Sequence, residues 1–311
     1  MATTELTGAE DVAWDLTDLF AGVDDPRIDE EVAQAEADAA AFRERYHGAV
    51  AGLDAAALAE AVAEFERIES TLVRPLTFAH LNFATNMADP ARGALVARLG
   101  EKAAALDTQL LFLGLEWAAV EDDAAEALLA DPALDHWRHH LRSLRKFRPY
   151  LLSEPEERIV TEKTVSGTTA WSRLYEELLG ALRVSLDGEE VALEPAMAKL
   201  YDPDRDVRRT AAAAIGEALG PGLRTRTFVF NTILLDKSIE DRLRGYPTWV
   251  SSRNLANETT DEAVEALVHA TTSRYDLPQR YYRLKARLLG LERLDHYDRF
   301  APISSDGAKR S

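Results

Sequence analysis

The chain has no cysteine among its 311 residues, and that absence removes several chemistries at once. Thiolate zinc sites, a cysteine nucleophile and a disulfide framework are excluded, and the composition suits a reducing compartment. A cytoplasmic location is expected. Positive charge is scarce too: 36 Lys and Arg stand against 54 Asp and Glu, for a net charge of −18 and a sequence pI near 4.9. Such a surface repels phosphate backbones, so no nucleic-acid partner is expected. Solubility accounts for the acidic excess without any cation-binding role. Long apolar runs are missing as well. The most apolar stretch, Leu110 to Val120, is too short to span a bilayer and carries Glu116, so it reads as a buried helix face with no membrane partner. Met1 to Glu10 is small, polar and acidic, without the basic start and apolar stretch of a secretory signal. There is no GxSxG elbow, no Walker-type phosphate loop and no GxGxxG after a strand.

What is present is helical periodicity. Leu58, Val62, Phe65, Ile68 and Leu72 recur at helical spacing, as do Leu95, Leu99, Leu106, Leu110, Leu113 and Trp117, and both series predict long amphipathic helices. Asp25-Pro26 and Asp202-Pro203 have the form of helix starts, an Asp to cap the free amides and a Pro at the first helical position. Ser153 with Glu156, and Thr259 with Glu262, have capping-box spacing. Gly220-Pro221-Gly222 reads as a helix break, and the Asn257-Glu258-Thr259 sequon as the lead-in to a helix. The fold class expected is all-α, with a single β-hairpin in which Val184-Ser185-Leu186 and Glu189 to Leu193 flank the turn dipeptide Asp187-Gly188. The hairpin suggests a join between an N-terminal helical part, residues 1–195, and a second helical part, residues 196–311, that opens with the Asp202 cap.

The chemistry is defined by what the histidines lack. His47, His80, His136, His139, His140, His269 and His296 are followed by Gly, Leu, Trp, His, Leu, Ala and Tyr, so none is followed by Glu. A HExxH metalloprotease helix needs two His one turn apart, with the Glu placed to take a proton from metal-bound water. The nearest imitation is His136-Trp137-Arg138-His139-His140, in which His136 and His140 would share a helix face near Asp131 and Asp135. Arg138 adds positive charge there and no Glu occupies the base position, so a structural segment is the favoured reading. The paired acids Glu156-Glu157 and Asp122-Asp123 read as helix starts, because adjacent helical residues diverge by about 100 degrees. Tyr275, Tyr281, Tyr282 and Tyr297 leave two readings, a peptide groove or core packing with polar tips, and the second is favoured.

As a string of landmarks, the chain resembles the oligoendopeptidase F family of zinc metallopeptidases, relatives of thimet oligopeptidase. The landmarks run from Trp14-Asp15-Leu16-Thr17-Asp18-Leu19-Phe20 through Arg145-Lys146-Phe147-Arg148-Pro149-Tyr150 and Gly167-Thr168-Thr169-Ala170-Trp171. They continue with Asp202-Pro203-Asp204-Arg205, Asp236-Lys237, Arg244-Gly245-Tyr246 and Arg253-Asn254-Leu255-Ala256-Asn257, and close on Tyr281-Tyr282-Arg283-Leu284-Lys285 and Tyr297-Asp298-Arg299-Phe300-Ala301-Pro302-Ile303. Singly each is weak, but their order and spacing are specific.

The resemblance implies an elongated helical body forming one wall of a deep channel, in which a bound zinc hydrolyses short unstructured peptides. It places the HExxH helix and the further glutamate ligand beyond Ser311. No catalytic or metal residue of the family is therefore assigned in this chain, and its substrate-binding residues are not identified. The expectation is the N-terminal half of a zinc metalloendopeptidase, inactive alone, with zinc only in the full-length enzyme and with Ser304 to Ser311 marking an incomplete coding sequence. Helices meant to cover the other half would leave apolar area in water, so self-association or marginal stability is expected. The alternative is a non-catalytic, acidic helical module that binds a protein partner.

Overall fold

The computed structural model describes residues 14–87 and 89–303; the Met1 to Glu10 and Ser304 to Ser311 segments lie outside the described residues. The chain divides into two compact units between Val165 and Ser166, with the hairpin inside the second.

The first unit is built on three helices, α1 (Pro26–Tyr46), α2 (Ala55–Thr85) and α3 (Pro90–Leu110). Ile28, Val32, Ala35, Ala39, Phe42 and Tyr46 alternate steps of four and three along α1, which makes a continuous apolar seam. Small residues let the backbones approach where Ala35, Ala39, Ala61 and Ala79 are fully buried. Asp25 caps α1 as expected: its carboxylate accepts the Arg27 amide at 3.0 Å, with Pro26 at the first position. Asp54 and Asp89 cap α2 and α3 in the same way.

The second apolar series runs along a helix interrupted at a single residue. Leu111 keeps helical dihedrals and its amide donates to the Asp107 carbonyl at 2.9 Å, so α4 (Phe112–Ala119) continues α3, followed by α5 (Asp122–Leu129), α6 (Arg138–Arg145) and α7 (Glu154–Ser166). Phe112, Leu113 and Trp117 are buried along this continuation. Glu116 serves the fold, since its carboxylate accepts the amides of Gly48 at 2.6 Å and Val50 at 3.2 Å, in the turn after α1. Trp117 donates its indole N–H to the Leu141 carbonyl at 2.8 Å. Among the described residues no single helix is long and apolar enough to cross a membrane; the apolar run from Pro90 to Leu129 is bent by 104°.

The second unit contains α8 (Thr168–Gly180), strands β1 (Val184–Leu186) and β2 (Glu189–Val191), α9 (Leu193–Ala198), α10 (Arg205–Leu219) and α11 (Leu223–Arg244), then α12 (Ser251–Ala256), α13 (Asp261–Thr272) and α14 (Asp276–Leu288). The hairpin is the one expected, antiparallel, with Val184 opposite Val191 and Leu186 opposite Glu189. Asp187 and Gly188 both take positive φ, 54° and 87°, which the twist of a two-residue turn requires. The Gly220-Pro221-Gly222 break falls where expected, between α10 and α11.

Two caps are displaced from their expected positions. Asp202 accepts the Asp204 amide at 2.8 Å and so builds a turn, and Asp204 in turn accepts the Asp206 amide and caps α10. The Thr259 amide is consumed closing α12 onto the Asn254 carbonyl at 2.9 Å, so Thr260 caps α13 through the Ala263 amide. At α7 only one half of the capping box forms: Glu156 accepts both the amide and the hydroxyl of Ser153, at 2.9 and 2.6 Å.

Candidate functional site

Helix α14 has one anchored face and one displayed face. Lys285 and Ala286 are buried, and the Lys285 ammonium donates to the Arg299 carbonyl at 2.7 Å, tying the helix to the segment that follows it. Burial pushes the Lys285 ammonium down, with Arg208 adding repulsion and Asp298 opposing it. Arg280, Arg283 and Arg287 follow one another at steps of three and four, so they share a helix face. With Arg293, Tyr281 and Tyr282 they line an open hollow of about 1080 Å³ floored by Leu277 and Leu284.

The four guanidiniums have no hydrogen-bond or ion-pair partner among the described residues, in a chain whose net charge is −18. Planar, permanently charged donors beside tyrosine rings suit carboxylates and peptide groups. They supply no general base and no nucleophile. The tyrosines settle between the two readings left open by sequence: Tyr275, Tyr281 and Tyr282 are exposed rather than core, and only Tyr297 is bound inward, its hydroxyl donating to Asp295 at 2.9 Å. Sequence reasoning missed the arginine set, although the spacing of Arg280, Arg283 and Arg287 carried the signal.

Beneath this region lies a buried ion network. Asp298 is fully buried and accepts Arg208 Nη2 at 2.8 Å, Arg205 Nη2 at 2.9 Å and the Asp295 amide at 2.9 Å. Arg208 is also buried; its Nη1 donates to the Asp202 and Pro203 carbonyls and its Nε to the Tyr297 carbonyl at 3.2 Å. Burial alone would raise the Asp298 carboxyl; the arginine hydrogen bonds and the Asp295 amide override it and hold the group at about 2. Two landmarks far apart in sequence, Asp202 to Arg205 and Tyr297 to Ala301, thus meet in one structural clasp.

The histidine cluster does not form a metal centre. Helix α6 begins at Arg138, so His136 precedes it and does not share a helix face with His140; the His136 ring lies edge-on to Trp137 instead. Asp135 is engaged by Arg138, and Asp131 accepts the Ala133 amide at 2.9 Å. Among the described residues no group of three or more His, Asp or Glu is placed to hold a metal ion. A zinc ion therefore has no fitting donor set here. The paired acids are consumed locally as well: Asp122 receives Arg145 and Arg148, and Glu157 accepts the Leu152 amide at 2.9 Å.

Comparison with known proteins is consistent over most of the chain. Residues 116–183 match a protein family described as Oligopeptidase F. Group B oligopeptidase PepB from Streptococcus agalactiae is 25% identical over 217 residues, covering 68% of this chain and 35% of its own length. Oligopeptidase PepF from Bacillus subtilis is 24% identical over 264 residues, covering 81% of this chain and 39% of its own. The crystal structure of oligoendopeptidase-F from Enterococcus faecium superposes on 89% of this chain and 56% of that one, with a TM-score of 0.79 at 20% identity. That likeness establishes the helical fold. The chain spans between a third and two fifths of the length of the two curated relatives.

Proposed function

We propose that this chain, which is similar to oligopeptidases PepB and PepF over 68% and 81% of its length, is the N-terminal portion of a cytoplasmic zinc metalloendopeptidase that hydrolyses short unstructured peptides. In this reading residues 1–195 form a channel wall, residues 196–311 open the catalytic body, and the zinc-binding residues belong to sequence beyond this chain. The observation that carries it is the asymmetry of coverage: the match with PepF takes in 81% of this chain but only 39% of the relative. The second unit supports it, since α11 holds Phe228 and Leu235 on one side and Phe230 and Leu234 on the other in solvent, apolar surfaces suited to further helical layers. The arginines of the α14 hollow supply donors for the carboxylate of a bound peptide.

The test is an assay of this chain with zinc and a fluorogenic oligopeptide, alone and after co-expression with a downstream polypeptide carrying a HExxH helix. No turnover alone and chelator-sensitive cleavage by the pair is the expected result. Robust cleavage by the chain alone overturns the reading. No cleavage by a soluble, associated pair favours a non-catalytic acidic helical module.

A further inference from the structure

The first unit holds a second cavity, remote in sequence from α14 and unused by the proposed peptidase reading. It measures about 260 Å³ and lies between α2, α3, α4 and α6, with apolar walls that include Val62, Phe65 and Leu110. Two carboxylates intrude on it, Glu69 from α2 and Asp107 from α3.

Several acids of the first unit face cations: Glu31 receives Arg74, Asp38 receives Arg67 at 2.6 Å, Glu36 receives Lys102 at 2.8 Å and Glu64 receives Arg45 at 2.7 Å. Glu69 and Asp107 have no hydrogen-bond or ion-pair partner among the described residues. An unpaired carboxylate against an apolar wall is costly, and two together more so, unless something else neutralises them. Burial raises the Glu69 carboxyl and the Asp107 charge adds to it, while burial raises Asp107.

We infer that this cavity binds an amphiphilic cation, a primary ammonium carried on an apolar body. The apolar body would fill the space between Val62, Phe65 and Leu110, and the ammonium would meet the two carboxylates at the mouth, where Asp107 is open to solvent. A cavity of this size takes a fragment-sized ligand. The titratable groups lining it are Glu69 on α2, Asp107 on α3 and His140 on α6, with none from α4. Protonating either carboxyl removes attraction, so binding weakens as pH falls.

The experiment is titration calorimetry on the intact chain at neutral pH and low salt with phenethylammonium, and with its neutral counterpart phenylethanol. Saturable binding of one cation per chain is expected, about tenfold tighter than the alcohol, the effect of a charge-assisted contact. The preference should vanish in the double variant Glu69→Gln, Asp107→Asn, whose thermal midpoint should equal or exceed that of the parent because no internal partner is lost. Equal affinity for the two probes in the parent chain, no saturable binding, or a preference that survives the double substitution would each overturn the inference.

Discussion

Phe42 and Phe228 mark what separates the two units. Phe42 is 0% exposed, with the rings of Tyr46, Phe65 and Phe112 at 4.9, 6.3 and 5.6 Å, whereas Phe228 is 61% exposed and meets the Trp171 ring at 5.7 Å. The first unit resolves its sequence into a closed core, and its ion pairs lie outside that core. In the second, buried positions go to Arg208, Lys285 and Asp298 while large apolar side chains remain in water. Burial of apolar area is the main favourable term in folding, so the unit that exposes it has to draw stability from its clasp or from a covering surface.

The largest effect that tests this contrast comes from the core of the first unit. Phe42→Ala should cost about 3–5 kcal/mol, since the cavity is enclosed on all sides and cannot collapse. Urea denaturation followed by the fluorescence of Trp117 checks it; a loss of under about 1 kcal/mol would mean that the core is looser than its exposure values indicate. Next is the clasp. Asp298→Ala leaves Arg208 buried without its carboxylate, at a cost of roughly 3 kcal/mol, the low end for a broken buried pair because Arg205 is partly exposed and can resolvate. Trp171 and Trp249 lie in the second unit and Trp117 and Trp137 in the first, so single-tryptophan variants report which unit loosens. Loss confined to the Trp117 signal would break the comparison.

The same contrast explains what was legible in the sequence. Helix seams in the first unit are written in apolar spacing, and Leu58, Val62, Ile68, Leu72, Leu95, Leu99 and Leu106 are all buried as read. Asp187-Gly188 fixed the hairpin because few other dipeptides accept two positive φ values. The one-residue irregularity at Leu111 was not legible, since Leu110 to Val120 contains no Pro and its glycine, Gly114, lies inside α4. The displaced cap at Asp204 was not legible either: Asp202 and Asp204 are equal capping candidates locally, and the contacts of Arg205 and Arg208 with Asp298, some 90 residues away, accompany the second choice. The α14 hollow was half legible. Its tyrosines stand out in the sequence but favour core packing there, because spacing alone does not say which helix face another layer will cover.

A smaller effect on stability, with a larger one on association, is expected from the exposed apolar side chains of α11. Phe230→Ser with Leu235→Ser removes two side chains that are 60% and 61% exposed, and should change unfolding free energy by no more than about 0.5 kcal/mol for each substitution. Light scattering against concentration should show the parent chain associating and the variant less so. If the parent is monomeric throughout and unfolds in one sharp transition, the exposed apolar surface is not a liability and the contrast between the units loses its energetic meaning.

The smallest effect is a difference of sign in pH dependence. Asp298 is held at about 2 against an ordinary value of 3.8, so its contribution is fully present above the ordinary value and is lost as pH falls toward about 2. Glu69 and Asp107 are shifted the other way, raised by burial, so the folded chain holds their protons more tightly than the unfolded one. Their penalty is absent below the unfolded carboxyl values of about 4 and grows as pH rises through the folded ones. Urea midpoints of the parent and of the Glu69→Gln, Asp107→Asn variant should therefore converge near pH 4 and separate toward pH 7, with the variant the more stable. A gap that closes as pH rises would mean that the two carboxylates have found a cation in the folded chain, and that the first unit is not the fully self-contained core its buried side chains describe.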